Sequence, residues 1–354
     1  MEARRVEEKR KIVFYYPDFY VGGVEMAIIN LAKRIYKDYD LFFFYKSMNN
    51  MGIAAELRKY GYPINITSWP MDKRFECDIM VYCSLWLEYD NIVSFVKPKK
   101  RILWSHAMVP RGGGTKFYNL PFMRLMDEVV SVSEAADETI PKFMYGGKRK
   151  SNFNVINNIL NTEEIKEKSN LEPTKQIELA KDLNICTVAR IAREKGWHRI
   201  KVLCDNLIEE GIDFKWFIIG EGYFPEEVAH AHALLDKYSQ VEFLDKMLNP
   251  FPIVKQMDYS ALLSDFESWG LVITEAKILG VPVIATDFPS SKEQIESGKN
   301  GLIIPMKQLT EYKKYVKILL ENKEKFKENL ISFDYEDINK KSVEKWRELF
   351  EKGV

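Results

Sequence analysis

Residues 260–286 read SALLSDFESWGLVITEAKILGVPVIAT. SALLS (260–264) and VPVIAT (281–286) are short apolar runs of strand type, and helical spacing fills the segment between them. Gly270 marks the start of that helix. The runs are apolar nearly throughout, which points to strands buried on both faces, as in a parallel sheet covered by helices. At 100° per residue, Leu271, Val272, Ala276, Ile278 and Leu279 form one stripe, and Glu275 falls inside it. An unpaired buried carboxylate is unfavourable, so Glu275 needs a partner. Two readings stand: a pair of sugar hydroxyls, as on a ribose, or a salt bridge to a nearby Lys or Arg. Glu267 lies eight residues earlier, before the helix.

The same alternation runs outward in both directions. KIVFYY (11–16), LFFFY (41–45), DIMVYC (78–83), RILWS (101–105), EVVSVS (128–133) and NFNVIN (152–157) read as strands. Helical spacing is expected over 24–36, 53–59, 87–95, 119–126 and 134–143. In the second half, NICTVA (184–189), FKWFIIG (214–220), VEFL (241–244) and GLIIP (301–305) complete the strands. Helices are expected over 196–210, 225–237, 250–256, 270–279, 290–296 and 307–321. The polar stretch 161–182 reads as a linker. The tail 334–350 reads as an amphipathic helix that needs a surface, which the first domain could supply. The expected fold is α/β, with two doubly wound parallel-sheet domains facing a cleft. The domains are 1–165 and 166–330, followed by a terminal helix within 331–354. Ligands of such sheets sit beyond the carboxyl ends of the strands.

Several motifs fall at those ends. VARIAREKG (188–196) places Arg190 and Lys195 between a strand and a helix N-terminus. Two cations, backbone N–H groups and the helix dipole suit a diphosphate, although basic residues in loops are also common. GGVE (22–25) puts Gly22 and Gly23 before the first helix, where backbone can approach a ligand. GEG (220–222) has the same character. Neither is the G-x-G-x-x-G fingerprint, which argues against a nicotinamide enzyme. His106 ends the strand 101–105, and a lone His is more often structural than catalytic. Asp38 and Asp40 mimic a metal-binding pair at the wrong end of their element and read as a turn.

Composition removes other classes. The 354 residues carry 52 basic and 52 acidic side chains, so no basic excess suggests nucleic acid. Residues 1–150 hold 24 basic against 18 acidic side chains. The clusters Lys97/Lys99/Lys100/Arg101 and Lys148/Arg149/Lys150 could meet anionic lipid head groups or simply form a solvated face. A charged start, MEARRVEEKRK, and the lack of an 18-residue apolar run lead us to expect no secretory signal and no membrane span. Cysteines 77, 83, 186 and 204 are dispersed and read as reduced thiols of a cytoplasmic protein.

Taken together, GGVE, VARIAREKG, GEG, ESWGLVITEA and GVPVIATDF resemble retaining glycosyltransferase family 4, with the GT-B fold, over about residues 11–350. Glu267 and Glu275 match the family's E-x7-E element. The resemblance implies a nucleotide-sugar donor, most often a UDP-hexose, bound mainly by the C-terminal domain. It implies a glycan or lipid-linked acceptor at the N-terminal domain, a role in surface-polysaccharide synthesis such as capsule or lipopolysaccharide, and no cofactor or bound metal. Peripheral contact with the cytoplasmic face of the inner membrane is part of the same expectation. Arg190 and Lys195 would hold the diphosphate and Glu275 the ribose. Glu267 would lie near the donor sugar, and the backbone of Trp269, Gly270, Leu271 and Val272 would contact sugar and phosphate. Gly22, Gly23 and Gly220 would line the donor, and His106 would lie near the transferred sugar. Ser268-Trp269 stands where the pattern often has Gly-Phe, and Asn157-Asn158 where many members have Asn-Gly. Two other readings are an epimerase or phosphorylase on the same fold and a non-catalytic sugar-binding protein.

Overall fold

The computed structural model describes residues 9–16, 18–19, 22–45, 47–48, 64–68, 74–83, 95–107, 120–146 and 150–353. The chain divides into two compact units, Met1–Leu160 with Asp337–Val354, and Asn161–Glu336. The division falls five residues before position 165, and residues 331–336 group with the second unit rather than with the terminal helix.

Unit 1 runs β1 (Lys11–Tyr15), β2 (Asp18–Phe19), α1 (Gly23–Ile35), β3 (Asp40–Tyr45), β4 (Ser47–Met48), β5 (Ile64–Ser68), β6 (Phe75–Tyr82), β7 (Val96–Ser105), α2 (Leu120–Met123), β8 (Glu128–Ser131), α3 (Glu134–Tyr145) and β9 (Phe153–Val155). Its main sheet has the order β5-β3-β1-β6-β7-β8-β9, and β2 pairs with β4 apart from it. Unit 2 runs α4 (Thr162–Ser169), β10 (Leu183–Val188), α5 (Trp197–Glu209), β11 (Phe214–Ile219), α6 (Pro225–Leu235), β12 (Val241–Phe243), α7 (Phe251–Val254), β13 (Tyr259–Leu262), α8 (Leu271–Ile278), β14 (Val283–Thr286), α9 (Ser291–Gln294), β15 (Gly301–Ile304) and α10 (Tyr312–Glu328). Its sheet order is β12-β11-β10-β13-β14-β15. The last helix, α11 (Glu336–Glu351), belongs to unit 1 from Asp337 onward.

Each sheet starts in its middle, grows to one side, then returns and grows to the other. The direction of winding reverses between β1 and β6 in unit 1 and between β10 and β13 in unit 2. The loops that leave adjacent strands diverge there, which opens a crevice at the carboxyl edge. In unit 2 the parallel register pairs Ile185 with Tyr259 and Cys186 with Ser260.

Strand β11 shows why the runs are apolar throughout. Phe214, Trp216 and Ile218 enter one core cluster with Trp197 and Tyr312. Phe217 and Ile219 enter the other, with Leu262, Ile273 and Phe288. Successive side chains point to opposite faces, and both faces are covered.

The C-terminal helix completes unit 1. Trp346 is fully buried and meets Trp104 of β7 edge-on, with ring centroids 4.8 Å apart. Burial of each indole is worth about 2–3 kcal/mol. The last turn leaves backbone carbonyls without helical partners. Lys100 Nζ donates to the Leu349 and Lys352 carbonyls at 2.6 and 2.5 Å, and Arg10 Nη1 to the Phe350 carbonyl at 2.6 Å. Two cations thus sit at the negative end of the helix dipole. Asp38 pairs with Arg347 of the same helix at 2.7 Å.

Several expectations change. The stretch 161–182 is not a bare linker, because Thr162–Ser169 is a helix whose N-cap, Asn161, accepts from the Glu164 N–H. Ile165 is buried, and the Lys168 carbonyl accepts from Asn249 Nδ2. One apolar residue among acidic and basic ones hid this helix from periodicity. Strand β5, INITS, alternates polar and apolar at the sheet edge and lacks the continuous run used to find the others. The expected helix 119–126 is one turn long, and that over 307–321 runs instead from Tyr312 to Glu328. Lys100 is buried under α11 and so is not free for a lipid, whereas Lys99 pairs with Asp78 at 2.7 Å with its side chain still exposed. The helices expected over 53–59 and most of 87–95 lie outside the described residues, as do Lys148 and Arg149.

Candidate functional site

At the carboxyl edge of unit 2, four loops leave β10, β11, β13 and β14. The first runs from Ala189 to Gly196. It ends in a 3-10 turn, Arg193–Lys195, followed by Gly196 at φ 73°, which opens α5. A Cβ on Gly196 would stand 2.0 Å from the Leu263 carbonyl oxygen, so only glycine fits between this loop and the end of β13. The second loop is GEG. The Ile191 N–H donates to the Glu221 carbonyl at 2.8 Å. A Cβ on Gly220 would lie 1.9 Å from the Ala189 carbonyl oxygen. Glycine therefore lets the first two loops touch.

The third loop carries the acidic motif. The Asp265 N–H donates to the Glu194 carbonyl at 2.7 Å, which joins it to the first loop. Lys195 Nζ then reaches Glu267 Oε1 at 2.6 Å, and Ser264 Oγ donates to the same oxygen at 2.7 Å. Both partners of the ion pair are largely buried, with side-chain exposures of 13% and 16%. Ser290, at the start of α9, donates to the Glu267 carbonyl at 2.8 Å, so the fourth loop holds this position from behind. Gly270, at φ 79°, turns the chain into α8.

Glu275 sits one turn into α8. The residue as a whole is half-buried, and its carboxylate has no hydrogen-bond or ion-pair partner among the described residues. Burial pushes its pKa up to about 7. The salt-bridge reading of Glu275 is therefore not what the structure shows. The stripe around it also differs from expectation. Ile273, Thr274 and Lys277 are buried, whereas Leu271, Val272 and Leu279 are only half-buried, because the helix rolls its Ile273 side onto the β13–β14 core. Trp269 is buried, and its indole Nε1 has no hydrogen-bond partner among the described residues.

Arg190 is placed differently from Lys195. Its guanidinium pairs with Glu194 at 3.0 Å and lies 5.7 Å from the Tyr223 ring, with 48% of the side chain exposed. It stands at the rim of the same loop cluster and is not locked by burial.

In unit 1, Gly22 is the N-cap of α1, and Gly23 is its first residue. His106 follows β7, its ring centroid 4.4 Å from that of Trp104. The residue is half-buried overall, but its Nε2 is shielded from solvent and has no partner among the described residues, and burial pulls its pKa down to about 3. It is a neutral imidazole at ordinary pH.

Motif reading passed over two residues. Arg199 is 4% exposed, yet it binds the Leu263 carbonyl at 2.9 Å, the Met306 carbonyl at 3.0 Å and Asp265 at 2.6 Å. Its signal was present: it shares the apolar face of α5 with Ile200 and Leu203. Gln294 is the other; it binds across to Trp269 and Thr274. No local pattern marks it, because both partners are at least twenty residues away.

Residues 168–336 match the profile of the family described as Glycosyl transferases group 1. The matched stretch lies within unit 2. The whole chain is similar to an uncharacterised glycosyltransferase of Haemophilus influenzae, 24% identical over 96% of this chain and 99% of the relative. A capsular polysaccharide biosynthesis glycosyltransferase, CapM of Staphylococcus aureus, is 25% identical over 33% of this chain and 31% of the relative. Among solved structures, Anabaena Alr3699/HepE in complex with UDP and glucose superposes with a TM-score of 0.73, covering 96% of this chain and all of that one at 18% identity. These likenesses establish the two-domain GT-B fold. The matched stretch covers all four loops, and with them Arg190, Lys195, Gly220, Glu267, Trp269, Gly270, Leu271, Val272 and Glu275.

Proposed function

We propose that the chain transfers a hexose from a UDP-sugar to a glycan or lipid-linked acceptor, with retention of the anomeric configuration, in surface-polysaccharide assembly. The observation that carries this reading is the Lys195–Glu267 contact at the reversal point of a group 1 glycosyltransferase sheet. It joins the two motifs named for diphosphate and sugar. HepE supports the donor class through the UDP and glucose in its complex, and CapM supports the polysaccharide context through its description.

The chemistry needs charge control more than a nucleophile. As the glycosidic bond to the diphosphate lengthens, the sugar gains oxocarbenium character and negative charge gathers on the leaving phosphate. Lys195 and Arg190 stabilise that charge, aided by the N–H groups that open α5 and α8. In the unliganded protein Lys195 is neutralised by Glu267. An arriving diphosphate competes for the ammonium and frees Glu267 to accept from sugar hydroxyls. Glu275 accepts from the ribose hydroxyls. The leaving phosphate oxygen takes the acceptor proton on the face it departs from, so configuration is kept. Two cations fill the electrostatic role that a metal plays elsewhere, and we assign no cofactor. His106, Gly22 and Gly23 are assigned to the sugar and diphosphate as contributions of unit 1, which also takes the acceptor. Contact with a cytoplasmic membrane face would rest on basic residues other than Lys100.

The test is a panel of nucleotide sugars incubated with candidate acceptors, read by release of nucleoside diphosphate and by NMR of the new anomeric centre. Acceptor-dependent release with a retained anomer supports the proposal. An inverted anomer, or turnover of the nucleotide sugar with no transfer, overturns it.

A further inference from the structure

The first turn of α8 has a brace that neither the motifs nor the family match marks. Gln294, on α9, is buried. Its side-chain amide donates from Nε2 to the Trp269 carbonyl and accepts from Thr274 Oγ1 at 2.7 Å. Trp269 lies just before Gly270, the N-cap of α8, and Thr274 lies in the first turn beyond it. One amide therefore spans the entry of the helix, and each of its ends is matched to its partner, donor to carbonyl and acceptor to hydroxyl. The amide is itself held. Lys277 Nζ donates to the Gln294 main-chain carbonyl at 2.5 Å and lies 4.2 Å from the centroid of the Phe333 ring. Lys277 is 6% exposed, and burial pulls its pKa down to about 8.

We infer that Gln294 is a positioning residue for donor binding, fixing Gly270 in its left-handed turn so that the free N–H groups of α8 and the Glu275 carboxylate face one ligand. This rests on the donor reading given above. It adds a residue that touches no substrate and acts through Trp269 and Thr274. Gly270 has no side-chain cap to hold it, and φ 79° alone does not fix the direction of the following N–H groups. The Trp269 carbonyl sits one peptide before that turn, so an error in its direction is carried into Leu271 and Val272. A donor replaced by an acceptor at Gln294 would place two oxygens face to face at Trp269. A protonated acid there would restore the donor.

The test uses the full chain and UDP as probe. The unaltered protein is compared with Gln294→Met, Gln294→Glu and Thr274→Val by calorimetry, with circular dichroism confirming the fold. Gln294→Met should weaken UDP binding about tenfold or more. Gln294→Glu should be as weak near pH 8 and recover, relative to the unaltered chain, toward about pH 5.5 as the new carboxyl takes a proton. Lys277, against the same residue, favours the ionised carboxyl, so recovery lies on the acid side. Thr274→Val removes one anchor and should give a smaller loss in a protein that folds. A change that only loosened packing would leave the ratio of Gln294→Glu to unaltered affinity flat with pH. A flat ratio, or unchanged UDP affinity in Gln294→Met or Thr274→Val, overturns this inference alone. No UDP binding by the unaltered chain overturns the donor reading and this inference with it.

Discussion

Lys195 and Glu267 stand 2.6 Å apart although 72 residues separate them, and Ser264 donates to the carboxylate oxygen they share. The contact exists because a 3-10 turn and a glycine N-cap end the loop after β10 where the loop after β13 passes. A pair this enclosed has limited net worth to folding, since desolvation offsets much of the attraction. Its value lies in holding two opposite charges ready where a polyanion and a polyol would bind.

Lys195→Met should therefore lower turnover far more than stability. Removing the ammonium leaves Glu267 with Ser264 as partner, at a folding cost of about 2 kcal/mol. Turnover should fall by about two orders of magnitude or more, the usual effect of deleting a group that stabilises leaving-group charge. Arg190→Ala, at an exposed ion pair, should leave the thermal midpoint nearly unchanged while also slowing turnover. Normal turnover in either variant removes the diphosphate assignment.

Glu275 has a testable pH signature. Its folded pKa is raised to about 7 by burial, above the unfolded carboxylate value of 4.5. Between those values the folded protein holds more protons than the unfolded one, so stability falls as pH rises through the window and stays low above it. Glu275→Gln should be the more stable protein at pH 8, by up to about 3 kcal/mol, with the advantage gone below about pH 4.5. Denaturant melts at the two pH values measure it.

Ribose hydroxyls favour the ionised carboxylate, so a bound nucleotide should pull that pKa back down. UDP binding should then release a proton near pH 6.5–7, in the titration window of Glu275. Calorimetry in buffers of different ionisation enthalpy counts it. Glu275→Ala should weaken donor affinity by about 1–3 kcal/mol and abolish the release. Undiminished affinity returns Glu275 to a bystander.

Gly196→Ala tests the close approach of the first and third loops. A Cβ there would lie 2.0 Å from the Leu263 carbonyl oxygen and 2.6 Å from Arg199 Nη1, at a backbone φ of 73°. Strain and overlap together should destabilise the fold by about 2–4 kcal/mol. A variant within about 0.5 kcal/mol of the parent by denaturant melt would show that the loops can separate.

Lys100→Met should cost about 2–3 kcal/mol in unit 1, because the last carbonyls of α11 lose a charged donor that is 4% exposed. Hydrogen exchange should quicken first at Leu349 and Phe350. Unchanged protection there would mean that the Trp104–Trp346 contact alone anchors the helix.

The sheets were legible because parallel strands buried on both faces are written as unbroken apolar runs, as in Phe214–Ile219. Edge strand β5, INITS, alternates apolar and polar residues and was not. The site was legible where its residues lie close in sequence. Lys195 follows its strand by a few residues, and Glu267 and Glu275 share one loop and helix. What sequence could not supply was pairing across the fold. Lys195 finding Glu267, Arg199 tying the loops after β13 and β15, and Gln294 bridging Trp269 to Thr274 all depend on strand order. Glu275 is the opposite case: its place on the apolar stripe was readable from the helix, but its lack of a partner among the described residues was not.

Unit 1 is assembled from two stretches of chain with all of unit 2 between them. A ribosome that has finished residue 160 has made its sheet but not the helix that covers Trp104. That surface stays bare while 176 further residues, Asn161–Glu336, are synthesised. The order of maturation is thus the reverse of the order of translation: the second unit can finish first, and the amino-terminal unit last. Premature termination anywhere after residue 160 would leave an orphaned, sticky sheet for chaperones to shelter or proteases to clear.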